Sequence, residues 1–212
     1  MVDGCDKHGA ELTMETARPY DHLLFDVMAT LVYEPFFREV PAFFGIELGE
    51  LIPQLRPGSW VDFELGKIDE TTFFERFFAD GRKFDGPGMK AAMVEAYAWL
   101  DGVELVLAEL EQAGWPLHLL SNYPPWYQLI EDKLSISRYA AWTFVSCETA
   151  LRKPDPDVYR GAAKHLGAAP ERLLFIDDRE NNCASAREVG LDAIVFENAT
   201  QLRRELMSRN VL

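Results

Sequence analysis

Residues Arg172 to Glu197 read RLLFIDDRENNCASAREVGLDAIVFE. The apolar run RLLFI ends in two carboxylates, Asp177 and Asp178. NNCASAREVG follows with helical character and stops at Gly190, and DAIVFE is a second apolar run. A strand, a helix and a strand in such close succession imply a parallel pair joined by a crossover helix. A carboxylate at the end of a buried run is costly unless it is paired or bound to a metal. In sheets of this kind, ligands bind at the carboxyl ends of the strands.

The same alternation extends toward the N-terminus. DPDVYRGAAKHLG reads as a helix with Gly167 as its C-cap. TFVSCE reads as a strand, PPWYQLIEDKL as a helix with proline in its first turn, and WPLHLLSN as a strand ending at Ser121-Asn122. Asp101 to Gln112 reads as a helix, and HLLFDVMATLVY, residues 22–33, opens with a strand ending at Asp26. ATQLRRELMSRN closes the chain as a helix. The predicted fold class is α/β: a doubly wound, parallel, Rossmann-like sheet.

Residues 34–99 differ in texture. They carry Phe36, Phe37, Phe43, Phe44, Trp60, Phe63, Phe73, Phe74, Phe77, Phe78, Tyr97 and Trp99, and no convincing strand. Within TTFFERFFAD the paired phenylalanines recur at helical spacing, while Pro53, Pro57, Gly58, Gly66, Gly86, Pro87 and Gly88 break the segment into short helices. The expected division is a mobile tail at 1–20, a core at 21–33 and 100–212, and a helical cap at 34–99 inserted after the first strand. Aromatic pairs at helical spacing usually build a core. Trp60 and Phe63, in mid-segment, are the ones expected to reach a pocket, with Tyr123 after the second strand. Asp69, Glu70 and Glu75 read as a solvated helix face.

Bulk properties exclude several classes. The chain has 212 residues, 48% hydrophobic, enough for a real core. A formal charge of −14 argues against a nucleic-acid or anionic-membrane surface. No apolar run reaches the roughly 20 residues of a membrane span. Cys5, Cys147 and Cys183 are odd in number and far apart, so neither a disulfide framework nor a zinc site is implied. His8, His22, His118 and His165 are scattered and none is expected to be catalytic. The N-terminal segment lacks a secretory signal, and a cytoplasmic location is expected, or the chloroplast stroma if a transit peptide has been removed. Nothing in the sequence specifies an oligomeric state.

Four strand ends gather one kind of chemistry. They carry Asp26 and Thr30, then Ser121 and Asn122, then Arg152 and Lys153, then Asp177 and Asp178 with Asn181 and Asn182. Carboxylates suit Mg²⁺, lysine and hydroxyls suit phosphate oxygens, and a carboxylate can act as a nucleophile. Arg152 reads as a surface or salt-bridge residue.

Taken together, LSN, RKPDPDVY and FIDDRENN resemble the motifs of the haloacid dehalogenase (HAD) superfamily, from about residue 21 to about 205. The resemblance implies Asp26 as nucleophile, Thr30 orienting its loop, and Ser121 and Lys153 holding the phosphoryl group; Asn122, next to Ser121, is a substrate-binding candidate that could instead cap a helix or orient its neighbours. It implies Mg²⁺ bound by Asp26, the Met28 backbone carbonyl and Asp178, with Asp177 binding through water or orienting the site. DVM-x-T followed by PAFFG, NYPPWYQLIEDKL and FIDDRENN further resemble the plant and algal flavin mononucleotide hydrolases. The chain departs from the superfamily's phosphatases at Met28, where an acid–base Asp is usual, and from that branch at Ala29, where Asp is common. The implied function is a Mg²⁺-dependent phosphomonoesterase acting through an aspartyl-phosphate on a small phosphorylated metabolite such as flavin mononucleotide. The alternatives are a sugar-phosphate phosphatase, a 2-haloacid-type dehalogenase, and a disabled binding protein. The metal-type ending Asp177-Asp178 favours a phosphatase over a dehalogenase.

Overall fold

A computed structural model describes residues 18–212. Most of the expected N-terminal tail lies outside the described residues. Its last three residues are packed: Arg18 donates to the Gly114 and Ala113 carbonyls, and Tyr20 is buried. Packing among the described residues thus already includes residues 18–20, inside the expected tail.

Five strands form one parallel sheet: β1 His22–Phe25, β2 Leu117–Ser121, β3 Ala141–Val145, β4 Leu173–Asp177 and β5 Asp192–Val195. Their order is β3-β2-β1-β4-β5, with every pairing parallel. The chain winds outward from β1 in one direction and then in the other, so β1 and β4 flank the switch point where such sheets bind ligands. Leu23 and Phe25 join one apolar cluster with the helices Val103–Gln112 and Ala199–Ser208. Leu24 joins the other, with Pro156–Leu166 and Glu180–Val189. Both faces are covered, which is why the strands read as continuous apolar runs rather than alternating ones.

β3 differs from its expected span. It covers 141–145, and Ser146–Thr149 turns into a short helix instead of extending the strand. Ser146 Oγ bonds there to the Glu64 carbonyl and receives the Tyr123 N–H, so this residue serves the contact with the inserted segment.

Between β1 and Val103 the described chain runs through short helices and adds no strand to the sheet. Glu70–Glu75 is helical, but the second phenylalanine pair is not. Arg56 N–H bonds to the Phe77 carbonyl and Ala79 N–H to that of Gln54, so the chain there pairs with an extended neighbour. Glu70 is not simply solvated: it accepts from Lys90 and from the Trp126 indole. The segment's aromatic core is continuous with the sheet's apolar cluster through Tyr123 and Trp126. Its outgoing and returning strands lie side by side. Tyr33 N–H bonds to the Ala98 carbonyl and Leu100 N–H to that of Leu31, both at 2.9 Å, around an antiparallel bridge from Val32 to Trp99.

Two histidines pair at the amino end of the sheet. His22 Nδ1 and His118 Nε2 are 3.0 Å apart, and His118 Nδ1 is 2.8 Å from Thr143 Oγ1. Burial, with His22 and His165 nearby, pushes the His118 imidazole down to about 4. The unfolded chain therefore binds a proton that the folded chain refuses, and stability falls as pH drops from about 6.5 to about 4. The ring is only partly buried, so screening reduces the effect to about 1–2 kcal/mol. Urea unfolding between pH 7 and pH 4 is expected to show a stability loss smaller by that amount in His118→Gln than in the wild type. Equal losses would remove His118 from the account.

Candidate active site

Asp26 follows β1 directly, and its N–H continues the ladder to the Ile176 carbonyl at 2.8 Å. The chain then turns sharply. The Val27 carbonyl receives the N–H groups of Leu31 and Val32, and Ala29 takes φ 60° to let this happen. An L-residue other than glycine pays for that backbone, and Asp and Asn tolerate it better than Ala. The turn returns Thr30 beneath Asp26. Its hydroxyl donates to Asp26 Oδ2 at 3.4 Å and accepts the Asp178 N–H at 3.1 Å.

Lys153 is the hub. Its ammonium donates to Asp26 Oδ1 at 2.6 Å, Asp177 Oδ2 at 2.7 Å and the Leu120 carbonyl at 2.8 Å, and the residue is only 2% exposed. Burial works against its charge, but the two carboxylates outweigh it and hold the amine above its usual value. Burial likewise raises the Asp26 carboxyl, and the Lys153 ammonium opposes that shift. Asn122 fixes the lysine's backbone, donating to its carbonyl at 2.9 Å and receiving its N–H at 2.8 Å. The side chain thus touches the lysine's main chain while also bordering the cavity.

Asp177 and Asp178 divide their work. Asp177 is fully buried; Lys153, Arg179 N–H and Asn182 Nδ2 all donate to its carboxylate. Of the two roles open to it, that geometry fits orienting Lys153. Asp178 borders the cavity with Asp26 and Met28, and burial followed by Asp177 raises its carboxyl. One carboxyl oxygen from each of Asp26, Asp177 and Asp178 lies within 4.8 Å of the others. Hard oxygen donors clustered at this spacing fit Mg²⁺.

The cavity is about 430 Å³. Asp26, Lys153, Asp178 and Asn182 form its floor, and Phe36, Phe37, Trp60 and Tyr123 its aromatic side. Ser121 Oγ is buried and has no hydrogen-bond partner among the described residues, and Ser121 is not one of the residues that line the cavity. Tyr123 is held by its hydroxyl, 2.9 Å from that of Tyr97. Phe63 corrects the expectation for it: it is 1% exposed and stacks on Phe73 at 4.7 Å, outside the cavity. Its neighbour Trp60 takes the wall position, and Phe63 supports it from within the aromatic core.

Three charged wall residues escaped sequence reasoning: Glu34, Glu64 and Arg179. Glu34 and Glu64 come from the inserted segment, where no strand end marks a position. Arg179 directly follows the two carboxylates, a signal that was there to use. Arg152 Nε donates to the buried Glu64 at 2.5 Å, joining the sheet side to the inserted segment. Gly66 seals the same seam at φ 68°: a Cβ there would stand 2.5 Å from the Cys147 carbonyl oxygen.

Comparison with known proteins places the chain in a family. The haloacid dehalogenase-like hydrolase family profile matches residues 21–190. Flavin mononucleotide hydrolase 1 of Arabidopsis thaliana, a chloroplast protein by its name, is 44% identical over 198 residues, which are 93% of this chain and 80% of that one. A phosphoglycolate phosphatase of Escherichia coli is 29% identical over 89 residues, 42% of this chain and 35% of its own length. Among solved structures, a HAD family enzyme of Bacteroides thetaiotaomicron in complex with magnesium superposes with a TM-score of 0.72 at 22% identity, covering 88% of this chain and all of that one. The L-2-haloacid dehalogenase of Xanthobacter autotrophicus gives 0.61 at 20% identity, covering 89% and 83%. Both structural likenesses speak to the fold. Among the described residues no helix is long and apolar enough to cross a membrane.

Proposed function

The chain belongs to the haloacid dehalogenase-like hydrolases, and on that premise we propose that it is a Mg²⁺-dependent phosphomonoesterase that works through an aspartyl-phosphate on Asp26 and accepts flavin mononucleotide. The observation that carries the chemistry is the buried Lys153 ammonium, 2.6 Å from Asp26 at the floor of the cavity. It opposes the burial that disfavours the Asp26 carboxylate and aims that group, as a nucleophile requires. The choice of flavin mononucleotide rests on the 44% identity to the Arabidopsis hydrolase, and the aromatic side of the cavity supports it.

In this reading an Asp26 oxygen attacks phosphorus and the ester oxygen leaves. Lys153 offsets charge on the nucleophile and on the incoming phosphoryl oxygens. Thr30 and Asn122 hold Asp26 and Lys153 in place, and Ser121 Oγ, without a partner among the described residues, is a further donor. Asp178, Asp26 and the Met28 carbonyl would hold Mg²⁺, which when bound spreads the charge of the transferring group. Asp177 keeps Lys153 oriented.

The test is phosphate release from flavin mononucleotide, a sugar phosphate and 4-nitrophenyl phosphate, with Mg²⁺ and with EDTA. Release that needs the metal and includes flavin mononucleotide is expected. A chain that releases phosphate from none of them, metal-loaded, is not a phosphatase. Phe37 provides a finer test because it is 49% exposed at the cavity mouth and contributes little to the core. Phe37→Ala is expected to raise KM for flavin mononucleotide about tenfold, the equivalent of about 1.4 kcal/mol of lost stacking, and to leave KM for 4-nitrophenyl phosphate nearly unchanged.

A further inference from the structure

Among the described residues, four acidic side chains border the cavity. Asp26 is paired with Lys153, and Glu64 with Arg152. Asp178 stands beside Asp26 among the hard oxygen donors. Glu34 has none of these duties. Among the described residues it forms no ion pair, one oxygen accepts the Phe36 N–H at 3.0 Å, and the other has no hydrogen-bond partner. The side chain is thus anchored at one oxygen and available at the other. Its backbone is fixed as well, because the neighbouring Tyr33 N–H is tied to the Ala98 carbonyl.

The reaction needs such a group. An alkyl ester leaves as a strongly basic oxygen unless it is protonated, and the water that later attacks the aspartyl-phosphate must lose a proton. Met28 and Ala29, the first residues of the turn to border the cavity after Asp26, carry no acid or base.

We propose that Glu34 is the proton carrier of this reaction. The inference rests on the phosphomonoesterase reading above. In the first step an Asp26 oxygen bonds to phosphorus, the ester P–O bond breaks, and the Glu34 carboxylic acid gives its proton to the departing oxygen. In the second step water bonds to phosphorus, its proton passes to the Glu34 carboxylate, and the bond from phosphorus to Asp26 breaks. Inorganic phosphate leaves, and both side chains return to their starting forms.

The surroundings favour the starting form. Burial raises the Glu34 carboxyl above the usual range; the Phe36 N–H and Arg179 oppose this, and Asp178 and Glu39 add to it. The Tyr97 and Tyr123 hydroxyls also face it, and both are held neutral by burial.

The experiment compares Glu34→Gln with the wild type on two esters, with Mg²⁺ present. Flavin mononucleotide has an alkyl leaving group that needs a proton, and 2,4-dinitrophenyl phosphate has one that does not. The expected result is a fall in kcat/KM of about 10²- to 10³-fold on flavin mononucleotide and less than about tenfold on the dinitrophenyl ester, with an unchanged thermal midpoint. Equal losses on both esters would give Glu34 a positioning or structural role and overturn the proposal, as would no loss on either. A wild type that cleaves neither ester overturns the phosphatase reading itself, and the proposal with it.

Discussion

Asp26→Asn is expected to lower phosphate release by more than about 10⁴-fold, because the amide cannot form the aspartyl-phosphate of the proposed reaction. The fold should survive. Burial already disfavours the Asp26 carboxylate, and Lys153 keeps Asp177 and the Leu120 carbonyl as partners when the charge is removed. The thermal midpoint is therefore expected to stay level or rise. Phosphorus from labelled substrate should remain on acid-quenched wild-type protein and be absent from the variant. A variant that turns over at the wild-type rate would remove Asp26 from the mechanism.

Lys153→Met should damage both activity and stability. Removing the ammonium leaves two buried carboxylates, Asp26 and Asp177, facing each other without a cation. Breaking a buried pair in this way costs about 3–5 kcal/mol. The cost depends on pH with a definite sign. Without the ammonium that opposes it, burial would raise the Asp26 carboxyl further above its unfolded value, so stability is retained at low pH and lost as pH rises through the folded value. Denaturant unfolding is expected to show the deficit at pH 7.5 and a smaller one at pH 5, the reverse of the His118 effect. Lys153→Met is also expected to lower turnover at least about 10³-fold, since charge on the phosphoryl group goes unanswered. A deficit that grows toward acid pH would contradict a central role for Lys153.

The sheet was legible because its strands are buried on both faces. Leu173–Ile176 and Leu23–Phe25 contain no polar residue, and each ends at a carboxylate. β3 was less legible. It is an edge strand with Ala141 exposed, and Ser146 and Cys147 look as strand-like as Thr143 and Phe144 when written in a row. The floor of the cavity followed from the strand ends, since topology alone brings Asp26, Lys153 and Asp178 together. The opposite wall did not. Trp60 and Phe63 are the same kind of residue three positions apart, and only the stacking of Phe63 on Phe73 decides which one meets the cavity. Glu34 was hidden for a similar reason: it precedes a proline in an aromatic stretch without a period, so no pattern separates an acid that faces solvent from one that faces a pocket.

The hydrogen-bonded crossing at Leu31–Tyr33 and Ala98–Leu100 has a consequence for how such a protein can change over time. Seen from the sheet, everything between those two short strands is a single loop whose ends are already clasped. Closing a longer or shorter loop across a fixed clasp is cheap, about 0.6 kcal/mol for each doubling of length. Lineages can therefore lengthen, trim or exchange the insertion without re-solving the packing of the five strands, provided that the replacement offers an apolar underside to Tyr123 and Trp126. In such an exchange the floor stays while the ceiling changes. Transplanting the insertion of a relative with a different substrate onto this clasp is a direct route to a new specificity on an unchanged nucleophile.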